Sequence, residues 1–124
     1  MLDAQIATTH FPWTEGGQPT DFQHDAADRM INMMGSEPLL LCGDFNAPRG
    51  GAVFDRFANR WTDCVPAHIS TSIDPKLHRA GALELMVDGI FASPEVRVSD
   101  VRMHCDLSDH QAITATVSQS DGKA

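Results

Sequence analysis

The segment Leu39-Leu40-Leu41-Cys42-Gly43-Asp44-Phe45-Asn46 constrains this chain more than any other. A short continuous apolar run bounded by turn residues reads as a strand buried on both faces. It ends abruptly in a carboxylate and an amide. Residues i and i+2 of an extended segment point to the same side, so Asp44 and Asn46 can converge at the strand tip. Gly43 permits a sharp exit, and Pro48, Gly50 and Gly51 hold the following backbone out of helix until about Ala52. Two readings fit: an Asx turn that closes the strand, or a rigid mount for working side chains.

The flanking pattern sets the fold class. Residues 4–13, AQIATTHFPW, read as a strand leaving into a loop at Pro12. Thr20 with Gln23 three residues on is a capping-box signal. Phe22, Ala26, Met30 and Met33 or Met34 recur at helical spacing, and Gly35 is a natural stop; this stripe reads as core packing. Val53, Phe54, Phe57 and Trp61 suit a second, short amphipathic helix. Residues 62–82 lack periodicity and read as a long loop, a feature often tied to function in compact domains. A second apolar strand follows in LELMVDGIFAS. EVRVSDVRM reads as a half-exposed strand and QAITATV as a last one, with Ile113, Ala115 and Val117 on one face. The order β-α-β-α-loop-β-β-β predicts an α/β (α+β) fold, with one mainly antiparallel mixed sheet and helices on one face. The 124 residues read as a single domain, 1–124, with 118–124 expected to fray.

Composition narrows the function classes. Hydrophobic residues make up 42% of the chain, enough for a core, and no run approaches the roughly 18 apolar residues of a membrane span. The formal charge of −8 argues against a bare nucleic-acid module, because such modules neutralise phosphates with a basic face. A metal-dependent phosphoesterase remains compatible, since a divalent cation reverses the local field. Cys42, Cys64 and Cys105 are odd in number and form no CxxC pair, so neither a disulfide framework nor a zinc knuckle is expected. With no visible signal peptide, these unpaired thiols favour a cytoplasmic setting.

Three further polar groups stand at strand ends. Asp88 interrupts the apolar LMVDGIF. A carboxylate there either points to water from an edge strand or orients a histidine. Asp109 and His110, in SDHQAI, precede the last strand and read alone as a polar turn. His10, in TTHFPW, reads alone as a structural histidine.

Taken in order, TH, GDFN, VDGIF and SDHQAI resemble the endonuclease/exonuclease/phosphatase superfamily over about residues 5–117. The resemblance implies half of a four-layer α/β sandwich and a site for water-driven cleavage of phosphate esters. It implies that Asp44 orients or deprotonates the attacking water or sits near the metal, and that Asn46 holds the scissile phosphate or that water. It implies that Asp109 ligates Mg²⁺ or Mn²⁺. His110 and His10 would face the phosphate, and Asp88 would fix the His110 ring.

The chain also departs from the family pattern. It starts at what resembles the middle of the domain, before the His10 strand. Glu15, Glu37, Glu84 and Glu95 do not stand in the family's glutamate motif, so the divalent ion is expected to bind weakly. Met86 stands where the family usually carries Arg, and Gly89 where it carries an aromatic residue. One face of the Leu39–Cys42 strand is expected to lie bare and to pair two copies as a homodimer. Two functions compete: a metal-dependent phosphoesterase acting on a phosphate ester, and a non-catalytic remnant serving as a binding or assembly module. A calcineurin-like metallophosphatase would need an early DxH and a GNH motif, and neither is present. His68, Lys76, His78 and Arg79 in the long loop, and Arg49, Arg56 and Arg60 after GDFN, are candidates for phosphate contacts or for a solvated surface. The acidic total favours a small phosphoester or lipid head group over duplex DNA.

Overall fold

Helix α1 (Asp21–Met34) starts and stops at its predicted caps in a computed structural model that describes residues 2–121. Thr20 Oγ1 accepts the Gln23 N–H at 3.2 Å, and Gly35 leaves the helix at φ 64°. Helix α2 (Ala52–Arg60) follows Gly51 and buries Val53, Phe54 and Phe57, with Trp61 buried just beyond it. Arg56 pairs with Asp28 and bonds His24, and Arg60 donates to the Gly35 carbonyl, so these two cations tie the helices together, and neither lines the clefts around Asp44 and His110.

Strands β1 (Gln5–His10), β2 (Leu39–Asp44), β3 (Thr62–Asp63) and β4 (Asp88–Ala92) form one mixed sheet in the order β1-β2-β4-β3. The β1–β2 pair is parallel and the other two are antiparallel. The fold class matches the expectation. Strands β5 (Val96–His104) and β6 (Ala112–Gln119), however, form an antiparallel ribbon of their own.

Alternation along β2 and β4 divides the core. Leu39, Leu41 and Phe91 face the helices and join Phe11, Phe45, Phe54 and Phe57 in an aromatic cluster. Phe45 lies at its centre, edge-on to Phe91 with ring centroids 5.2 Å apart. Leu40, Ile90 and Ala92 face the other way, onto Val65, Met86 and Val96 and onto ribbon residues including Val98, Met103, Ile113 and Val117. The sheet face expected to lie bare is thus covered within the chain. The homodimer expected from it loses its physical basis.

Three expectations shift in detail. Phe22 and Met33 are 63% and 74% exposed; the buried face of α1 is Gln23 and Ala27, flanked by Ala26, Met30 and Met34. The strand expected from Leu83 enters the sheet only at Asp88, because the Met86 and Val87 carbonyls accept from Arg49 and Phe45 in the turn after β2. At the C-terminus, β6 runs to Gln119 and the Ser120 N–H donates to the Glu95 carbonyl; 122–124 lie outside the described residues. No helix among the described residues is long and apolar enough to cross a membrane.

Candidate active site

The register of the mixed sheet lines up three of the polar groups. His10 pairs with Asp44 across β1 and β2, and Asp44 with Asp88 across β2 and β4. Because β4 runs antiparallel, its first residue meets the last residue of β2 at one sheet edge. Gly43 makes the close approach possible: its φ is 150°, and a Cβ there would lie 1.9 Å from the Thr9 carbonyl oxygen.

The tip of β2 closes as an Asx turn and still leaves one carboxylate oxygen uncommitted to that turn. Asp44 Oδ1 accepts the Asn46 N–H at 2.9 Å, which is the Asx turn. Asp44 Oδ2 is left facing two imidazoles, 3.6 Å from His10 Nε2 and 3.9 Å from His110 Nε2. Phe45, fully buried between the two polar residues, anchors the tip in the aromatic cluster. Asn46 takes a positive φ of 47° and donates from Nδ2 to the Phe11 carbonyl at 2.6 Å, so part of its amide stitches the two strand-end loops together.

His110 is the hub. Its Nδ1 lies 2.7 Å from Asp88 Oδ2, which makes Nδ1–H the donor and leaves Nε2 on the side of Asp44. Burial by itself lowers the His110 pKa, but the Asp88 hydrogen bond and the charges of Asp88, Asp44 and Asp109 outweigh it and raise the value. Burial pushes the Asp88 carboxyl up, against the pull of its bonds to the Ser72 hydroxyl and to His110. His10 stands at the rim with its side chain 79% exposed.

Asp109 does not join Asp44. Among the described residues, two groups of side chains bring possible ligand atoms within 4.8 Å of one another: Asp44, Asp88 and His110, and separately His78, Asp109 and His110. Asp109 is exposed, and a hydrogen bond from the Ser108 hydroxyl holds its carboxyl low. Neither group contains a glutamate.

The long loop holds this segment in place. Ile73 bridges His110, the Asp74 N–H donates to the Asp109 carbonyl, and the Gln111 N–H donates to the Ser72 carbonyl. Of the loop cations, His78 and Arg79 reach the site, Lys76 pairs with Asp106, and His68 is exposed. Arg49 is a staple, paired with Asp63 at 3.0 Å and donating to the Val65, Pro66 and Ile69 carbonyls. Two buried polar residues, Ser72 and Asp74, escaped the sequence reading, and so did the reach of a third, Gln23, beyond its helix cap. Ser72 Oγ accepts the Val87 and Asp88 N–H groups. Asp74 accepts from the Asp106 and Lys76 N–H groups, which hold its carboxyl low. Gln23 Nε2 reaches from α1 to the Pro12 and Asn46 carbonyls at 2.8 and 3.0 Å.

The row of acids and imidazoles separates two clefts. One, of about 350 Å³, runs beneath His10, Asp44 and Asp88 toward Cys42, Ile90 and Ile113. The other, of about 280 Å³, opens on the far side of His110 toward Asn46, His78 and Arg79.

A mixed sheet whose strand ends gather carboxylates around a histidine, backed by helices on one face and a β-ribbon on the other, defines the class. The chain belongs to the Endonuclease/Exonuclease/phosphatase family, whose profile matches residues 5–110. Among solved structures it is similar to the endonuclease/exonuclease/phosphatase from Bacteroides vulgatus, with TM-score 0.63 and 21% identity over 79% of this chain and 44% of that one. It is similar to the mannosyl-6-phosphatase of Bacteroides thetaiotaomicron, with TM-score 0.55 and 19% identity over 81% and 47%. It is also similar to the human Nocturnin catalytic domain with bound sulfate anion, with TM-score 0.58 and 22% identity over 91% and 46%. At these identities the likeness is one of fold, and the chain spans less than half the length of each of these structures. No curated protein sequence matches it.

Proposed function

We propose that this chain carries the phosphate-facing side of a metal-dependent phosphoesterase that cleaves a P–O ester bond with water. The observation that carries the reading is the Asp88–His110–Asp44 alignment, 2.7 Å on one ring nitrogen and 3.9 Å on the other. Asp88 fixes the ring, and the raised pKa of His110 favours the imidazolium, which places a charged donor where a phosphate oxygen would sit. Asp44 Oδ2, between His10 and His110, is placed to accept a proton from the attacking water. The water oxygen bonds to phosphorus, the ester P–O bond breaks, and the alkoxide leaves as the alcohol with a proton from His110 or His10. Asn46 retains amide capacity toward the same oxygens.

The donor chemistry fits a divalent cation only in part. Each candidate group mixes carboxylate with imidazole, whereas Mg²⁺ takes oxygen ligands and Mn²⁺ tolerates both. Asp109, exposed and readily ionised, would hold the ion on the His78 side of His110, with Asp44 in the other group; weak binding follows from so few oxygens on either side. Bound there, the cation would supply positive charge to the non-bridging phosphate oxygens.

Hydrolysis of p-nitrophenyl phosphate and bis(p-nitrophenyl) phosphate in Mn²⁺ or Mg²⁺ tests the reading. His110→Ala and Asp44→Ala are each expected to lower the rate by at least ~100-fold. A second reading, a non-catalytic binding module of the same fold, is favoured by the lack of any glutamate in the ligand groups. Its signature is a folded chain that binds phosphate and turns over neither ester in any divalent ion.

A further inference from the structure

The cleft of about 280 Å³ beyond His110 has a mixed lining. His110, Asn46, His78 and Arg79 bring polar and basic groups to it. The His78 ring centroid is 6.2 Å from that of His110, and its Nδ1 accepts the Ala80 N–H, leaving Nε2 free to face the cleft. Trp13, Leu83, Leu85 and Ala80 bring apolar surface to the same cleft. Trp13 and Leu83 are 68% and 37% exposed, large apolar side chains left open to solvent beside a polar site.

We propose that these apolar side chains form the subsite for the organic group of the substrate, and that they select phosphate esters of a flat, apolar, single-ring group over those of small alkyl groups. The inference rests on the phosphoesterase reading and adds the substrate class. His110, Asn46, the Trp13 indole and Leu83 line one cleft, so the organic group of a phosphate held by His110 and Asn46 there would have the indole and Leu83 within the same space. A cleft of this size admits a phosphate and one ring but not a duplex. Stacking on the indole and burial against Leu83 reward a planar apolar group, while the apolar walls offer few partners to a polyhydroxylated one.

Phenylphosphonate and methylphosphonate, which cannot be hydrolysed, separate this subsite from catalysis. Titration followed by His110 ring and Trp indole resonances is expected to give about 10-fold tighter binding of phenylphosphonate. It is also expected to shift the Trp13 indole while leaving that of the buried Trp61 in place. Trp13→Ser and Leu83→Ser, both at exposed positions that leave the core intact, are expected to bring the ratio to within about 2-fold. Equal affinities in the unaltered chain, or a ratio that survives both substitutions, would overturn the subsite and leave the phosphate reading standing. No shift of His110 with either phosphonate would overturn both.

Discussion

Replacing Asp88 by asparagine keeps the shape of the side chain and removes its charge, so it isolates what the carboxylate does for His110. The 2.7 Å contact and the neighbouring acids hold the imidazole pKa above its ordinary value. Asp88→Asn is expected to lower it, which an NMR titration of the His110 ring reads directly, and to lower phosphate affinity at neutral pH. The raised value also makes stability depend on pH. His110 contributes fully below the unfolded imidazole value near ~6.5, and the contribution fades as pH climbs through the higher folded value. Asp88 acts in its own window, since a carboxyl raised by burial costs stability as it ionises, beginning above its unfolded value near ~3.9. Denaturant midpoints measured from pH 6 upward are therefore expected to fall more steeply in the parent than in Asp88→Asn.

At the scale of the element, the tip of β2 depends on a backbone approach that only glycine permits. Gly43→Ala would place a methyl group 1.9 Å from the Thr9 carbonyl oxygen, on backbone already at φ 150°. It must separate β1 from β2 and with them His10 from Asp44. A loss of at least about 3 kcal/mol is expected by chemical denaturation, with the anion response of His10 lost first. The same element shows why sequence reading succeeded there. A short apolar run ended by Gly-Asp-Phe-Asn has one way to bury Phe45, and burying it turns Asp44 and Asn46 outward. The long loop shows the opposite. Ser72 and Asp74 are buried by partners far away in the chain, at Asp88, Asp106 and Gln111, and no local period announces such contacts.

For the whole molecule, the decisive feature is the β5–β6 ribbon folded over the outer face of the mixed sheet. Val96 is buried where the ribbon leaves that sheet, among Leu40, Ile90 and Ala92. Val96→Asp is expected to cost about 3 kcal/mol or more, because it buries a carboxylate without a partner, and to open the outer core to an apolar dye. Phe22→Ser, an equally severe change on paper, is expected to stay within about 0.5 kcal/mol because Phe22 is 63% exposed. Thermal melts of the two variants side by side give the comparison. The ribbon also explains why a bare sheet face was the wrong expectation. Periodicity marks Ile113, Ala115 and Val117 as one apolar face but does not say which surface that face will cover.

By itself the sequence determined what local chemistry controls: the caps of α1, the start of α2 after Gly51, the buried β2 and its polar tip, and the apolar side of β6. Each follows from backbone geometry and side-chain period within a few residues. The family resemblance implied that Asp88 meets His110; only the tertiary structure decided that Asp109 stands with His78 apart from Asp44, and that Gln23 joins the two strand-end loops. Those encounters depend on strand order and on how loops close across the sheet. Their free energy comes from desolvation and from hydrogen bonds between residues far apart in the chain, and no window of sequence contains both partners.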